Sequence, residues 1–237
     1  MLFSMRLIKF LSKTNISSRR EAEKLIEFQY VKVNGKIATS LFQEIDPLKD
    51  KVTVRGQIAK IPSSYVYYIL NKPAGYICSN RRMNNEKLAI DLISHHKGRL
   101  FTVGRLDKET SGLILITNDG EFADAVSHPS NQVHKEYLVK TVEEITADNL
   151  KILGDGAIVE RTLVRPVSIK KVRSGTLKIT LGEGKKHEVR ELVKNAGLTL
   201  IDLVRIRIGS LHLGKMELGS FRSLSLKERS ELALSKK

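Results

Sequence analysis

An uninterrupted apolar run directly after a loop carboxylate places the strongest constraint on how this chain can fold. Residues 113–116 are all apolar, the pattern of a strand buried on both faces. The turn before them carries Asp107 among Gly, Thr and Ser residues, while Asn118 and Asp119 are suited to end the strand and cap a helix beginning near Gly120. The pattern predicts a functional carboxylate on a loop fixed by a rigid strand. The alternative is that Asp107 only caps the turn.

The charge of the chain favours a polyanionic partner. Lys and Arg total 41 against 26 Asp and Glu, a formal net charge of +15 over 237 residues. This surplus is unusual for an enzyme of small molecules and would attract nucleic acid. The single cysteine excludes a disulfide framework and a Cys-based metal site, and His95 and His96 have no carboxylate or cysteine at ligand spacing. We expect no metal, no signal peptide, no membrane span and a cytoplasmic location.

Residues 6–52 have the pattern of a compact basic unit. Apolar residues at helical spacing predict a first helix from about Leu7, and Ser18 with Glu21 forms a capping box for a second. The Asn-Gly pair within residues 30–37 predicts a β-hairpin. A small unit of two helices and a hairpin is better suited to binding RNA phosphates than to forming a catalytic site. The candidate RNA contacts, for which ordinary solvated charge is the alternative, are Arg19, Arg20, Lys24, Lys32 and Lys36.

The rest of the chain has many strands and few helices. Gly56, Pro62 and two serines mark a hinge over residues 55–64. Helices are predicted at 147–153, ended by Gly154, and around 189–196, ended by Gly197. Strands are predicted at residues 65–70, 113–116, 135–142, 163–172, 176–181 and 200–213. Because no regular βαβ alternation occurs, we predict an α+β fold with a mainly antiparallel mixed sheet.

Two shorter segments complete the pattern. Ser225 and Glu228 form a capping box for a final short helix. The polar segment 79–87 contains Arg81 and Arg82, and it is either an RNA-contacting loop or a plain surface loop.

A loop carboxylate, a strand tyrosine and an arginine on a basic helix face form the candidate catalytic group, Asp107, Tyr137 and Arg190. Arg190 shares its helical stripe with Lys186 and Lys194, four positions away on either side. The chain has neither a nucleophile elbow nor a Walker pattern, which disfavours Ser/His/Asp hydrolysis and phosphoryl transfer. Glycosidase chemistry needs paired carboxylates, and Asp107 with Glu109 is the nearby pair. A solvated loop position for Glu109 is favoured.

Two resemblances cover most of the chain. Residues 17–22 and 33–36 resemble the S-four type RNA-binding domain, named for a small-subunit ribosomal protein. Residues 104–118 resemble, nearly position for position, the signature of the RsuA-type pseudouridine synthases (the RsuA, RluB, RluE and RluF group), which modify ribosomal RNA. Supporting blocks occur in the same order at residues 71–75, 135–137, 183–190 and 203–209. Together they imply an RNA-binding domain over 5–54, a linker over 55–64 and a catalytic domain over 65–237.

The resemblance implies roles for individual residues. Asp107 would be the nucleophile in the conversion of uridine to pseudouridine, and Arg190 would keep it ionised. The Tyr137 ring would stack on the extruded uracil, and its hydroxyl would lie close enough to take part in proton transfer. The alternative is that the ring only packs within the sheet. Leu203 and Ile208 are pocket wall or core. Further RNA contacts are expected from Arg105, Lys186 and Arg205.

The resemblance also implies partners. Because isomerisation exchanges neither electrons nor atoms with solvent, no cofactor is expected. The partner would be ribosomal RNA or an assembling ribosomal subunit, with the protein acting as a monomer without an obligate protein partner. The pattern of residues 19–23 is similar to members that act on the large subunit.

One departure and two alternative functions stay open. Relatives carry Gln and Arg-Met where this chain has Glu188, Glu191 and Leu192, and the two acids either weaken RNA contacts or face solvent. One alternative function is an RNA-binding ribosome-assembly factor with a silent site. The other is a nucleoside glycosidase that uses Asp107 and Glu109 and releases free uracil.

Overall fold

The computed structural model describes residues 4–14, 16–17, 19–80, 82, 85–96, 98–182 and 184–234, and gives the backbone alone for 19, 20, 233 and 234. The chain forms two compact units. The first contains the chain up to Val66, with short segments at Arg99 and at Asn118–Gly120, and the second contains the remainder. Among the described helices, none has the length and apolar character needed to cross a bilayer.

The first unit packs two helices against short strands. Its helices are α1 (Leu7–Lys13) and α2 (Arg19–Glu27), and its strands are β1 (Met5–Arg6), β2 (Val31–Val33), β3 (Lys36–Ile37), β4 (Glu44–Ile45), β5 (Val52–Val54) and β6 (Gln57–Ile58). β1 pairs with β4, and the other four form an antiparallel sheet in the order β3-β2-β5-β6. Both predicted helices are confirmed, and their apolar faces and the inner strand residues share one core.

The predicted hairpin is also confirmed. Asn34 has φ 51° and Gly35 has φ 82°, and two positive φ values in a row are what a two-residue hairpin turn of this hand requires. The Asn34 side chain fixes the turn, because its amide donates to Asp50 and its oxygen accepts from the Lys51 N–H, both at 2.8 Å. The capping box predicted from Ser18 lies outside the described residues.

The predicted linker over residues 55–64 is wrong at its start. Arg55 and Gly56, with φ of 52° and 81°, form a second tight turn that leads into β6, which pairs with β5. Ala59 is then buried in the core of the first unit. The glycine that suggested a hinge therefore closes a hairpin, and the first unit continues beyond residue 54.

The second unit is built on one large sheet. The strands of the second unit are β7 (Tyr67–Lys72), β8 (Phe101–Val103), β9 (Ser111–Thr117), β10 (Lys135–Thr141), β11 (Ala157–Val159), β12 (Thr162–Val164), β13 (Ser168–Arg173), β14 (Thr176–Leu181), β15 (Leu200–Ile208), β16 (Leu211–His212) and β17 (Phe221–Ser223). In the described part of the unit, the order is β13-β14-β10-β15-β9-β7-β17, with β8 paired to β9 and β16 to β15. β15 and β9 run parallel, and the other pairs are antiparallel. The predicted α+β class with a mainly antiparallel mixed sheet is confirmed.

β9 occupies an interior position in this sheet, as its apolar run predicted. Residues 113–116 are each at most 1% exposed. The strand begins one residue after Thr110, so the loop that carries Asp107 leads directly into the most deeply buried part of the unit.

The helices of the second unit are α3 (Gly120–Ser127), α4 (Ala147–Asp155), α5 (Glu188–Asn195) and α6 (Leu226–Leu234), with 3-10 turns at Ala89–Leu92 and Pro129–Asn131. The prediction that Gly154 ends α4 is wrong. The helix continues to Asp155, and Gly156 caps it with φ 91°, where a side chain would overlap the carbonyl of Val164. The end of α5 at Gly197 is confirmed, since Gly197 has φ 71° and donates to the Lys194 carbonyl at 3.0 Å.

Two further local predictions have clear outcomes. The Ser225–Glu228 capping box is confirmed: the Ser225 N–H donates to Glu228 Oε2 at 2.9 Å and the Glu228 N–H to Ser225 Oγ at 3.2 Å. The single strand predicted over residues 163–172 is wrong. It is divided into β12 and β13, which pair with different partners, and Pro166 between them has no N–H to donate to a ladder.

Candidate active site

The loop over residues 104–110 connects β8 to β9 and carries Asp107. The Thr110 N–H donates to the Asp107 carbonyl at 3.1 Å, which closes the turn that the Gly, Thr and Ser composition predicted. The Asp107 carboxylate is 27% exposed. It is therefore within reach of a substrate while its backbone is anchored by the buried strand.

A buried lysine holds this loop in place through hydrogen bonds to main-chain carbonyls. The Lys72 ammonium, at the end of β7, donates to the main-chain carbonyls of Pro73, Tyr76 and Lys108 at 2.9, 2.8 and 3.3 Å. Burial lowers the pKa of Lys72, although the nearby Cys78 thiol and Glu109 carboxylate oppose that change. Because a buried ammonium needs acceptors, this one fixes the carbonyl next to Asp107.

A buried arginine and a cysteine complete the support. The Leu106 N–H donates to Cys78 Sγ at 3.3 Å, and burial raises the pKa of that thiol. Arg205 is 3% exposed, and its guanidinium donates from Nε to the Leu113 carbonyl at 2.7 Å and from Nη1 to the Arg105 carbonyl at 3.2 Å. The position of Asp107 thus depends on main-chain contacts from both sides of the loop.

The sheet register places the candidate tyrosine beside this support. On β15, Arg205 is paired with Tyr137 of β10 on one side and with Gly112 of β9 on the other. Tyr137 is 8% exposed. One strand, β15, therefore separates the strand that carries the tyrosine from β9, which follows the loop over residues 104–110.

A cavity of about 120 Å³ brings the three candidate catalytic residues together. Its walls include the loop over residues 104–110, the start of α5 and strands β10 and β15. Of the residues proposed from sequence, those lining it are Asp107, Tyr137, Arg190, Arg105, Lys186, Arg205, Leu203 and Ile208. Leu203 and Ile208 are also buried, so each is both pocket wall and core.

The side chain nearest to Asp107 is not the expected arginine. His187 Nε2 lies 3.5 Å from Asp107 Oδ1. Arg190 instead donates from Nη2 to Thr110 Oγ1 at 3.3 Å. Arg190 therefore contacts the loop over residues 104–110 through Thr110, and its predicted effect on the ionisation of Asp107 stays a prediction.

The predicted RNA contacts fall into three groups. Arg105 and Lys186 are exposed at the cavity, and Lys24, Lys32 and Lys36 are exposed on the first unit. Arg205 has a structural position instead, because its guanidinium is buried against main-chain carbonyls, and its contact with RNA stays a prediction. For Arg19 and Arg20 the structure places the backbone at the start of α2, while their side chains lie outside the described part.

A further basic residue extends the cavity outward. Lys135, the first residue of β10, lines it, and burial lowers its pKa, with the charge of Arg205 acting in the same direction. A second cavity of about 390 Å³ shares Arg105, Lys135 and Lys186 with the first. The cleft therefore presents positive charge next to the carboxylate, as the binding of a phosphodiester chain requires.

The two acids beside Arg190 have different environments. Glu188 is 4% exposed, and its carboxylate accepts from the Lys185 N–H at 3.1 Å, so the expectation that it faces solvent is wrong. Glu191 is exposed on α5, as that alternative expected.

The two adjacent histidines belong to an aromatic cluster. The His95 ring stacks on Phe221 with centroids 5.1 Å apart, its Nε2 lies 3.4 Å from the Tyr68 hydroxyl, and His96 packs edge-on to Tyr68. Across the described residues, His, Cys, Asp and Glu side chains form no group of three or more arranged to hold a metal ion.

Sequence reasoning missed four residues of the site, namely Lys72, Cys78, Lys135 and His187. Lys72 and Lys135 each belong to a block that supported the resemblance, and that membership was their signal. His187 lies three positions before Arg190, so a basic run that opens a helix was its signal. Cys78 had no signal in the sequence, because its role is a contact with the main chain.

The comparisons with known proteins agree with this geometry. The profile of the RNA pseudouridylate synthase family matches residues 66–195, and that of the S4 domain matches residues 5–47. A crystal structure of a pseudouridylate synthase superposes with a TM-score of 0.71 at 27% identity, covering 96% of this chain and 99% of that one. The chain therefore belongs to the RNA pseudouridylate synthase family and is an enzyme that isomerises uridine in RNA.

Individual relatives narrow the comparison. An uncharacterised RNA pseudouridine synthase of Aquifex aeolicus is 38% identical over 98% of this chain and 94% of its own length. The dual-specificity RNA pseudouridine synthase RluF of Escherichia coli is 34% identical over 97% of this chain and 78% of its own. SVR1, a chloroplast protein of Arabidopsis thaliana whose name refers to the ribosomal large subunit, is 40% identical over 97% of this chain, which spans 60% of SVR1. These relatives agree with the resemblance to the RsuA-type group.

Proposed function

We propose that this protein converts a specific uridine of ribosomal RNA into pseudouridine, with Asp107 as the nucleophile. The observation that carries the proposal is the cavity in which Asp107, Tyr137 and Arg190 meet beside a basic rim. A large-subunit target is supported by the name of the Arabidopsis relative and by the pattern of residues 19–23.

The chemistry requires one bond exchange on a flipped nucleotide. The C1′–N1 bond breaks, the base rotates and a C1′–C5 bond forms, while a proton leaves C5 and one is gained at N1. An ionised carboxylate can hold the substrate through this exchange by a temporary covalent bond to the sugar or the base. Asp107 has the exposure for that task, and its loop has the rigid support that precise attack needs.

Tyr137 and Arg190 prepare the site for this step. The Tyr137 ring, on the rigid strand β10, provides a face on which an unstacked uracil can lie. Arg190 keeps its charge in a partly buried site. Its hydrogen bond to Thr110 holds that positive charge beside the loop that carries Asp107, where it favours the ionised carboxylate. Arg105, Lys135 and Lys186 contribute attraction for the phosphates that flank the extruded uridine.

The two units have separate tasks in this proposal. The S4 domain, with exposed Lys24, Lys32 and Lys36, supplies affinity for structured RNA. The catalytic unit offsets the cost of extruding the base, a few kcal/mol and least for an unpaired nucleotide. We further propose that the protein acts in the cytoplasm. We also propose that it acts as a monomer, since RNA binding and catalysis are both predicted within one chain.

The test compares the wild type with Asp107→Asn and Glu109→Gln on ribosomal RNA transcribed in vitro and on a pre-assembled subunit. Pseudouridine is mapped by carbodiimide labelling and primer extension, and RNA binding is measured in parallel. We expect one new stop with the wild type and with Glu109→Gln, and none with Asp107→Asn, which should still bind RNA.

Other outcomes identify the alternatives. Release of free uracil that depends on both Asp107 and Glu109 would identify a nucleoside glycosidase. Equal RNA binding by all three proteins with no stop on either substrate would identify a ribosome-assembly factor with a silent site.

A further inference from the structure

Exposed aromatic side chains are concentrated on the first unit. In the described part of the chain, the aromatic side chains among the exposed large hydrophobic residues are Phe28, Tyr30 and Phe42, and all three belong to that unit. Phe28 is 62% exposed and Tyr30 is 47% exposed. A single exposed ring is ordinary, whereas exposed rings that adjoin each other indicate a surface for binding.

Phe28 and Tyr30 form an aromatic pair on which an arginine is stacked. Their ring centroids are 6.2 Å apart with an interplanar angle of 39°, and the Arg55 guanidinium carbon lies 5.2 Å from the Tyr30 centroid. The Arg55 N–H donates to the Tyr30 carbonyl at 2.8 Å, which continues the pairing of β2 with β5. Tyr30 and Arg55 are therefore cross-strand neighbours. The side chains of Phe28, Tyr30 and Arg55 are named the aromatic platform.

The aromatic platform lies on the outer face of the sheet β3-β2-β5-β6. Val31 and Val54 form a cross-strand pair that is buried in the core of the unit. Because successive side chains of a strand alternate between faces, Tyr30 and Lys32 on either side of Val31 point outward, and both are exposed. They are about 7 Å apart along the strand. One chain of nucleotides can therefore place a base against the ring and a phosphate against the ammonium.

The charge of the surrounding strands favours RNA over a protein as the partner. Residues 29–40 include two lysines, residues 51–60 include two lysines and an arginine, and neither segment contains an Asp or Glu. Next to these segments in sequence are Glu27, at the end of α2, and Asp50, which accepts a hydrogen bond from Asn34. Protein interfaces are depleted in lysine. Aromatic rings interleaved with cations are typical of surfaces that bind single-stranded nucleic acid.

We propose that the aromatic platform binds unpaired bases of the RNA substrate by stacking. Double-helical RNA presents phosphates and 2′-hydroxyls to a protein surface, whereas an unpaired base offers a π face that a ring or a guanidinium can cover. The platform therefore gives the first unit a preference for RNA with unpaired bases, which is also the RNA in which extruding the target uridine costs least. This inference rests on the proposed function, in which the substrate is RNA.

A tryptophan at the platform reports stacking directly. The chain contains no tryptophan, so Tyr30→Trp has a single indole. The probes are an oligouridylate of about twelve nucleotides and a blunt RNA duplex of equal length. We expect the oligouridylate to cause a large loss of the indole fluorescence in Tyr30→Trp, and the duplex to leave it unchanged.

Phe42→Trp is the matched control for the fluorescence experiment. Phe42 is 67% exposed, and the Arg6 guanidinium carbon lies 5.6 Å from its ring centroid, so its chemistry is similar to that of Tyr30. Its surroundings differ, because residues 41–50 include Glu44, Asp46 and Asp50. We expect neither probe to change the fluorescence of Phe42→Trp.

Removal of either platform ring should weaken binding to unpaired RNA selectively. For Tyr30→Leu and for Phe28→Leu, we expect the affinity for the oligouridylate to fall about tenfold. The affinity for the duplex should stay within about twofold of the wild type. The slope of the salt dependence should be unchanged, because no phosphate contact is lost. Tyr30→Phe keeps the ring and should bind the oligouridylate as the wild type does.

Several results would overturn the role of the platform. One is a Tyr30→Leu affinity for the oligouridylate equal to that of the wild type, and another is an equal loss of affinity for the duplex. A third is a wild-type dimer in sedimentation velocity that Tyr30→Leu abolishes, which would identify a second copy of the chain as the occupant. If a leucine variant loses the wild-type urea midpoint, the fluorescence of Tyr30→Trp decides alone.

Pseudouridine formation on ribosomal RNA is measured in parallel. If the wild type forms no pseudouridine while the oligouridylate still quenches Tyr30→Trp, the proposed function fails and the platform stands. If Asp107-dependent pseudouridine forms while the ring variants bind both probes as the wild type does, the platform fails and the proposed function stands.

Discussion

Arg190 Nη2 donates a hydrogen bond to Thr110 Oγ1 at 3.3 Å, across 80 positions of sequence. Thr110 is 2% exposed and its N–H closes the turn at Asp107. The pair therefore connects the start of α5 to the loop over residues 104–110 that carries Asp107.

Removing the hydroxyl of this pair should slow the chemical step. In Thr110→Val the Arg190 donor loses its acceptor while the side-chain volume is kept. A hydrogen bond to a charged group contributes about 1.5–3 kcal/mol, and we expect the single-turnover rate at saturating enzyme to fall about tenfold. Thr110→Ser keeps the hydroxyl and should stay within about threefold of the wild type. Equal rates for the Val and Ser variants would contradict this role.

A methyl group at Gly112 should disrupt the sheet beneath the site. Gly112 has φ 104°, and a Cβ there would lie 2.6 Å from the Arg205 nitrogen and overlap the Arg205 carbonyl. We expect Gly112→Ala to lower the free energy of unfolding by roughly 3 kcal/mol, from overpacking and backbone strain together. The measurement is urea unfolding followed by circular dichroism.

Gly120→Ala is the matched control for this change. Gly120 opens α3, and a Cβ there meets nothing within 4 Å. Alanine should be neutral or slightly stabilising there. If Gly112→Ala had the same unfolding midpoint as Gly120→Ala, the close approach of β15 to β9 at Gly112 would be excluded.

The basic hairpin of the first unit should contribute affinity without contributing chemistry. In Lys32→Gln/Lys36→Gln we expect weaker RNA binding and a salt dependence whose slope falls by about one per lost phosphate contact. The maximal rate at saturating RNA should be unchanged. Lys49→Gln is the control, because Lys49 is exposed and already lies 3.7 Å from Asp46. An unaltered salt slope in the double variant would place the RNA elsewhere.

The stability of the C-terminal helix α6 should depend on pH through the carboxylate of Glu228. Hydrogen bonds from Arg222 lower the pKa of Glu228 from its ordinary 4.5 to about 2. Because the folded pKa is depressed, this stabilisation is complete above pH 4.5 and is lost as the pH falls towards 2. The groups are partly exposed, so Glu228→Gln should cost only about 1 kcal/mol at pH 7.

Hydrogen exchange over α6 measures this effect. Protection of residues 226–234 in Glu228→Gln, relative to the wild type at the same pH, should be reduced at pH 7 and converge on the wild-type value near pH 2. Glu231→Gln serves as the control, because its 4.0 Å pair with Lys227 is exposed to solvent. A deficit that persisted at low pH would assign the stabilisation to packing instead.

The parts of the fold that follow local rules could be predicted from sequence. The Asn34-Gly35 hairpin, the Ser225–Glu228 capping box and the buried run at 113–116 each depend on neighbours in the chain. The error at Gly154 has a physical reason in Gly156, which is needed as the cap because Val164 approaches it from a distant strand. Such an approach leaves no trace in the helix's own sequence.

The sequence indicated three residues that share a cavity, whose catalytic roles stay predictions, but it did not indicate their contacts. The resemblance named Asp107, Tyr137 and Arg190, and all three line one cavity. It did not indicate that the His187 ring lies beside Asp107, because that contact depends on a left-handed backbone at one residue. Arg205 was expected to contact RNA, but its guanidinium is buried and donates to the Arg105 carbonyl in the loop and to the Leu113 carbonyl in β9.

The contacts that support the loop over residues 104–110 are made almost entirely to its backbone. Lys72 and Arg205 bind carbonyl oxygens, and Cys78 accepts an N–H, all of which a loop of different composition would offer equally. The identity of the exposed side chain at 108 is therefore uncoupled from the placement of Asp107. That position can change in sequence while the Asp107 carboxylate remains in place.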